Sequence, residues 1–237
     1  PVFPDGSIAV ADLDIDGATD IGAAIVDADL FIVDDGAGGT NRKTTASRLK
    51  TYLPGTWVPI DTFAFTAASS IQRDDVFSAT YLNYVMVISL SLFAADDDIV
   101  LRFGVGGTID SASKYKYTIN GLGNDGTELR TYSDGAGNKM RIMHDTDADS
   151  EAGGSGTYFI INPYGGFQRK SVYGYGCNQK ASASNTYTFT MAGDYHNDTT
   201  QNFTDLYLMS DSGSNNFVAG STSSGYGMVQ LYGIVNS

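Results

Sequence analysis

Along most of the chain, apolar and polar residues alternate in steps of two. Lys114, Lys116 and Thr118 oppose Tyr115, Tyr117 and Ile119, and Thr186, Thr188 and Thr190 oppose Tyr187, Phe189 and Met191. Period two predicts strands with one wet and one packed face. From residue 56 onward the pattern predicts strands over 57–66, 81–93, 99–105, 115–119, 128–132, 139–143, 158–162, 171–175, 186–191, 206–209 and 228–235. Clusters of Gly, Asp, Asn and Ser separate them at intervals of roughly 8–15 residues, a sandwich or barrel rhythm. No strand–helix–strand rhythm is present, which argues against a parallel α/β fold. Residues 228–235 are apolar on both faces, with Met228 and Tyr232 on one side and Val229, Leu231 and Val235 on the other. A strand buried on both sides is central or lies at an interface.

Residues 1–55 follow a different pattern. Leu30-Phe31-Ile32-Val33 predicts a short buried strand, Asp34 to Gly39 a turn, and Arg42 to Thr44 a returning strand. Thr45 then caps a short helix whose Leu49, Tyr52 and Leu53 share one apolar face, and Pro54-Gly55 stops it. The core of this ββα-like unit is too small for it to be expected to fold alone. It orders by itself or only against a partner. The expected division is therefore residues 1–55 as an anchoring segment and 56–237 as the main β-domain.

Composition sharpens this picture. The 237 residues carry 28 Gly and 15 Tyr, and the acid is almost all aspartate, 25 Asp against 2 Glu. Asp favours turns where Glu favours helices, which argues against a helical bundle. A net charge of −13 repels nucleic acid and anionic membranes. The only dense basic cluster, Arg42, Lys43, Arg48 and Lys50, lies in the acidic first segment and is the candidate docking patch for an acidic neighbour. One cysteine, Cys177, excludes an internal disulfide, and is expected to pack as a small apolar residue. No signal-peptide pattern opens the sequence, and Pro1 fits either removal of an initiator Met or a boundary within a longer chain. The uncharged stretch 76–95 is long enough for a bilayer, but its alternation from Leu82 to Leu92 reads as a strand, so no membrane insertion is expected.

Candidate chemistry is sparse. Asp12, Asp14 and Asp16, followed by Gly17, match the first half of a calcium loop, but Ala23 stands where a bidentate Glu is needed. The plainer account is an acidic, solvated loop, and no other cofactor is expected. Asp145, Asp147 and Asp149 repeat the spacing without the Gly. Gly121-Leu122-Gly123-Asn124-Asp125-Gly126 has the spacing of a dinucleotide loop, but a strand follows it and not a helix, so it reads as a β-turn. Asp194-Tyr195-His196 reads as a surface turn. No nucleophile motif is found, and two Glu leave the acid/base supply for glycoside hydrolysis thin. Tyr164, Tyr173, Tyr175 and Tyr195 are candidates to stack on sugar rings, against the alternative that they fill the core or a subunit interface.

Two stretches carry a resemblance. Leu13 to Gly17 with Asp27 to Asp34, then Arg42-Lys43-Thr44-Thr45 and Leu49-Lys50-Thr51-Tyr52-Leu53, resemble a segment near the N-terminus of bacteriophage virion proteins, notably of marine phages. Gly227 to Ile234 resembles the closing strand of jelly-roll-like domains in phage fibre and capsid-decoration proteins. The resemblance implies a non-enzymatic virion structural protein, mainly β, with a jelly-roll-like antiparallel sandwich behind an N-terminal docking segment. It implies other virion proteins as partners, a virion location and a homo-oligomer, with a trimer expected by analogy of fold. The alternatives are a carbohydrate-binding module that recognises host-surface glycan and, behind it, a glycan-degrading enzyme.

Overall fold

The computed structural model describes residues 22–34, 41–52, 57–91, 93–123, 129–146, 153–166, 169–180, 185–196, 201–223 and 225–235. The chain divides into two compact units, Pro1–Pro54 and Gly55–Ser237.

In the first unit, β1 (Leu30–Asp34) and β2 (Asn41–Thr45) form an antiparallel two-stranded ribbon, and α1 (Ala46–Tyr52) follows directly. The helix start is tied to the preceding turn: the Ala46 and Ser47 amides donate to the carbonyls of Asp29 (2.9 Å) and Asp27 (3.4 Å). Thr45 instead meets the Ser47 hydroxyl at 2.8 Å. The strand expected to be buried is open. Leu30 and Ile32, on one face of β1, are 59% and 70% exposed, because among the described residues no second layer covers the ribbon.

The second unit is built from antiparallel sheets alone. Its strands are β3 (Trp57–Ala64), β4 (Ser70–Arg73), β5 (Asn83–Ser91), β6 (Asp97–Val105), β7 (Thr108–Ile109), β8 (Tyr115–Gly123), β9 (Leu129–Gly137), β10 (Met140–Thr146), β11 (Gly153–Ile161), β12 (Lys170–Lys180), β13 (Asn185–Tyr195), β14 (Asp205–Ser210) and β15 (Met228–Ile234). One sheet has the order β3-β15-β5-β11-β12-β13-β8-β9 and the other β10-β6-β14-β4, with β7 paired to β6. The expected β-sandwich is therefore present. As its pattern required, β15 is an interior strand, hydrogen-bonded to β3 on one side and β5 on the other.

Alternation supplies the core. Tyr84, Met86 and Ile88 of β5, Tyr158 and Ile160 of β11, and Val229 and Leu231 of β15 face Ile99, Leu101 and Phe103 of β6 and Leu206 and Leu208 of β14. Strand β12 shows how one sequence pattern sets both faces. Its inward positions include Gly174 and Gly176, where a Cβ would come within 2.4 Å of the Thr157 and Ser155 carbonyl oxygens. The same Cβ atoms would also press on the rings of Tyr158 and Phe189. The glycines thus make room for bulk from neighbouring strands, and β12 carries its own bulk outward as Tyr173 and Tyr175.

Candidate functional site

The outer face of the eight-stranded sheet is the most distinctive surface of the second unit. Register and alternation place Tyr232, Val85, Phe159, Tyr173, Ala192, Thr118 and Ser133 in one row across it. From β15 to β8, the charged side chains that alternation places on this face, among the described residues, are Asp194 and Lys116, neighbours at one end. Elsewhere it carries Thr, Ser, Asn, Gln, Cys, Met, aliphatic and aromatic groups. Trp57 lies against Tyr232 (ring centroids 5.8 Å), and Phe159 stacks on Tyr173 at 5.0 Å and 13°. Tyr173 is 47% and Tyr175 59% exposed.

A depression of about 550 Å³ opens at the Asp194 end of this face, bordered by Lys116, Thr118, Ser133, Ser171, Tyr173 and Asp194. Its floor is Ala192, a small residue in a strand whose other outward positions are threonines and an aspartate, with the backbone of Gly193 beside it. Two smaller depressions flank Tyr175.

The candidate sugar-stacking tyrosines therefore separate. Tyr173 and Tyr175 stand outward, Tyr164 is half-buried, and Tyr195 is fully buried. Tyr195 packs edge-on against Tyr115 (5.1 Å) and Phe203 (4.9 Å), and its hydroxyl donates to the Asp110 carboxylate. That takes Tyr195 out of reach of any surface ligand and replaces the expected turn at 194–196 with the end of β13. Cys177 is exposed on the outer face and not packed inside. Gly121 to Gly123 close strand β8, so no helix N-terminus follows them in the described residues.

In the first unit, Arg42, Lys43 and Arg48 are all exposed. Arg42 and Lys43 are consecutive on β2, opposite Val33 and Ile32, and so point to opposite faces of the ribbon. The basic cluster of the sequence is thus not one patch in space at those two residues. The side chain of Lys50, and Asp12, Asp14, Asp16 and Asp145 to Asp149 as calcium loops, lie outside the residues whose side chains are described. Among the described residues no group of three His, Cys, Asp or Glu could hold a metal ion, and no helix is long and apolar enough to cross a membrane.

Two polar clusters were not foreseen from the sequence. Asp98 accepts from His144 Nδ1 (2.7 Å) and faces Arg141 Nε (3.1 Å), while Asp211 binds Arg141 (3.1 Å) and Lys139 (2.8 Å). Burial works against the Arg141 charge, but Asp98, Tyr117 and Asp211 outweigh it and hold the guanidinium above its ordinary pKa. Both carboxylates are thus matched by cations and serve as a structural tie between β6, β10 and the residues after β14. Asp205, fully buried, accepts from the amides of Asp75 (3.1 Å) and Gly107 (2.7 Å) and from Thr204 Oγ1 (2.6 Å). It pins two loops to β14. Partners 98 to 130 residues apart leave no local signal in sequence.

Comparison with family models, with curated proteins and with solved structures finds no match for this chain.

Proposed function

We propose that this chain is a non-enzymatic structural subunit of a bacteriophage particle, a fibre or capsid-decorating protein that displays a jelly-roll sandwich. The observation that carries the reading is the broad outer face of the eight-stranded sheet. In a chain of net charge −13, this face is nearly free of charge and bears Trp57, Tyr232, Phe159 and Tyr173. Depletion of charge with enrichment of aromatics is the composition of a packing surface. The strand order supports the same reading. With β7 and the hairpins β8–β9 and β12–β13 set aside, the remaining eight strands pair as 1-8-3-6 in one sheet and 5-4-7-2 in the other. That is the order the proposed double Greek key, or jelly roll, calls for. The two hairpins widen one sheet without disturbing that order. The particle itself enters through the resemblance of residues 13–53 and 227–234 to phage virion proteins. The first unit then supplies the docking end, with Ile25, Val26, Leu30 and Ile32 exposed and waiting for a cover.

Immunogold electron microscopy with antibody raised against the sandwich tests this. Gold on intact, purified particles, at a fixed position, is the expected result. Gold absent from particles, with the chain confined to the soluble fraction of the lysate, overturns it.

A further inference from the structure

The depression over Ala192 has a construction that a mere packing face does not need. Phe159, on the β11 side, covers one face of the Tyr173 ring. The other face of the ring looks across Ala192 toward Thr118, since β13 and then β8 follow β12 in the sheet. The result is an aromatic wall, a methyl-sized floor and a far side carrying the hydroxyls of Thr118 and Ser133. Ser171, Asp194 and Lys116 close one end in a single register row. Hydroxyls both donate and accept, and an aspartate accepts twice, so this rim matches a ligand with many hydroxyl groups. An aromatic face set beside such a rim matches the apolar face of a pyranose ring.

Charge narrows the choice. The ionised residues that border the depression are one cation, Lys116, and two carboxylates, Asp194 and Asp134, and Arg169 reaches Asp194 at 3.4 Å. No excess of positive charge is present to hold a sulfate, phosphate or sialic acid, and the chain as a whole repels polyanions. We propose that this recess is a binding site for a neutral glycan, with one pyranose ring stacked on Tyr173 over Ala192 and its hydroxyls held by Asp194, Thr118 and Ser171. The site needs the Asp194 end of the face left open, so that packing between subunits is confined to the Trp57 and Tyr232 end.

Affinity electrophoresis of the full chain through gels containing dextran, mannan, xylan or agarose, with heparin as the polyanion, tests the site. At least one neutral polysaccharide retards the protein, and heparin does not. Tyr173→Ala weakens that retardation about tenfold or more, Tyr173→Phe leaves it within about threefold because the ring remains, and Ala192→Leu, which fills the floor, weakens it about tenfold. Leu122→Ala, exposed on the same face outside the recess, changes nothing. Because Tyr173 and Ala192 are both exposed, these variants keep the wild-type melting temperature. Failure of every neutral polysaccharide to retard the protein overturns the site, as does wild-type retardation of Tyr173→Ala and Ala192→Leu. Light scattering supplies the remaining arm. If either variant dissociates a wild-type oligomer, the recess is a contact between copies of this chain and not a glycan site.

Discussion

The ribbon unit and the sandwich are written in the same two-residue alphabet, yet only one of them buries what that alphabet marks as apolar. In β15, Val229 and Leu231 are completely enclosed, whereas in β1 Leu30 and Ile32 are mostly open to water. The difference is not in the strands but in what lies across from them. Leu231 has a second sheet over it and a hydrogen-bonded strand on each flank. Ile32 has, among the described residues, one neighbouring strand and no layer above it. Alternation therefore specifies a face, and only a second layer turns that face into a core.

The sharpest way to break the comparison is to truncate one residue in each region. Leu231→Ala should cost about 2–5 kcal/mol, the range for deleting an enclosed aliphatic side chain. Ile32→Ala should stay within about 0.5 kcal/mol, as exposed substitutions do. Thermal melts of the two variants decide it, and a Leu231→Ala protein that melts like wild type would mean that β15 is not core. Next in size is Gly174→Ala. Its Cβ meets a backbone oxygen that cannot step aside, so a loss of about 1–3 kcal/mol is expected in urea unfolding. Gly135→Ala, with open space around it, should be nearly silent.

Alkali separates the regions in another way. Burial raises the Tyr158 and Tyr115 hydroxyls far above the ordinary tyrosine range, and raises Tyr84 as well. A folded-state pKa above the unfolded value means the unfolded chain loses its proton first. The stability these residues confer is thus complete below pH ~10 and declines as pH rises beyond it, by up to about 1.4 kcal/mol per pH unit for each buried tyrosine. Urea midpoints of the sandwich measured from pH 9 to 11.5 should fall accordingly, and Tyr158→Phe should flatten the fall. The smallest effect expected is that of removing residues 1–54. The sandwich should keep its melting temperature to within the equivalent of about 0.5 kcal/mol. A truncated chain that unfolds would make the two units one.

Strands with clean alternation or long apolar runs were legible in sequence, and so was the interior place of β15. Strand β4 was not: Ser70-Ile71-Gln72-Arg73 holds one apolar residue, and it is a strand because β14 pairs with it. Strand β7, two residues long, is set only by β6. Alternation also cannot tell which of two chemically ambiguous faces is the inner one. Tyr173-Gly174-Tyr175-Gly176 could have turned tyrosine to the core, and what decides otherwise is the Tyr158 ring on the next strand. At 195 the outcome reverses, because Tyr195 finds Asp110 for its hydroxyl and two rings for its body. The recess at Ala192 was illegible for the same reason, since its wall, floor and rim come from four strands brought into register.

The place of β15 between β3 and β5 also sets an order in time. A chain emerging from the ribosome delivers β3 and β5 first, yet the strand that joins them comes after every other described strand of the sandwich. Until residues 228–234 arrive, both neighbours present unpaired edges, and the sheet holds a gap one strand wide. Long-range closure of this kind is slow. An open edge of apolar strands is also a template for the wrong partner, including the same segment from another nascent chain. Synthesis that stops short of β15 should therefore yield aggregate and not a smaller sandwich, and pairing of β15 with β3 and β5 serves as a check that the whole sandwich has been made.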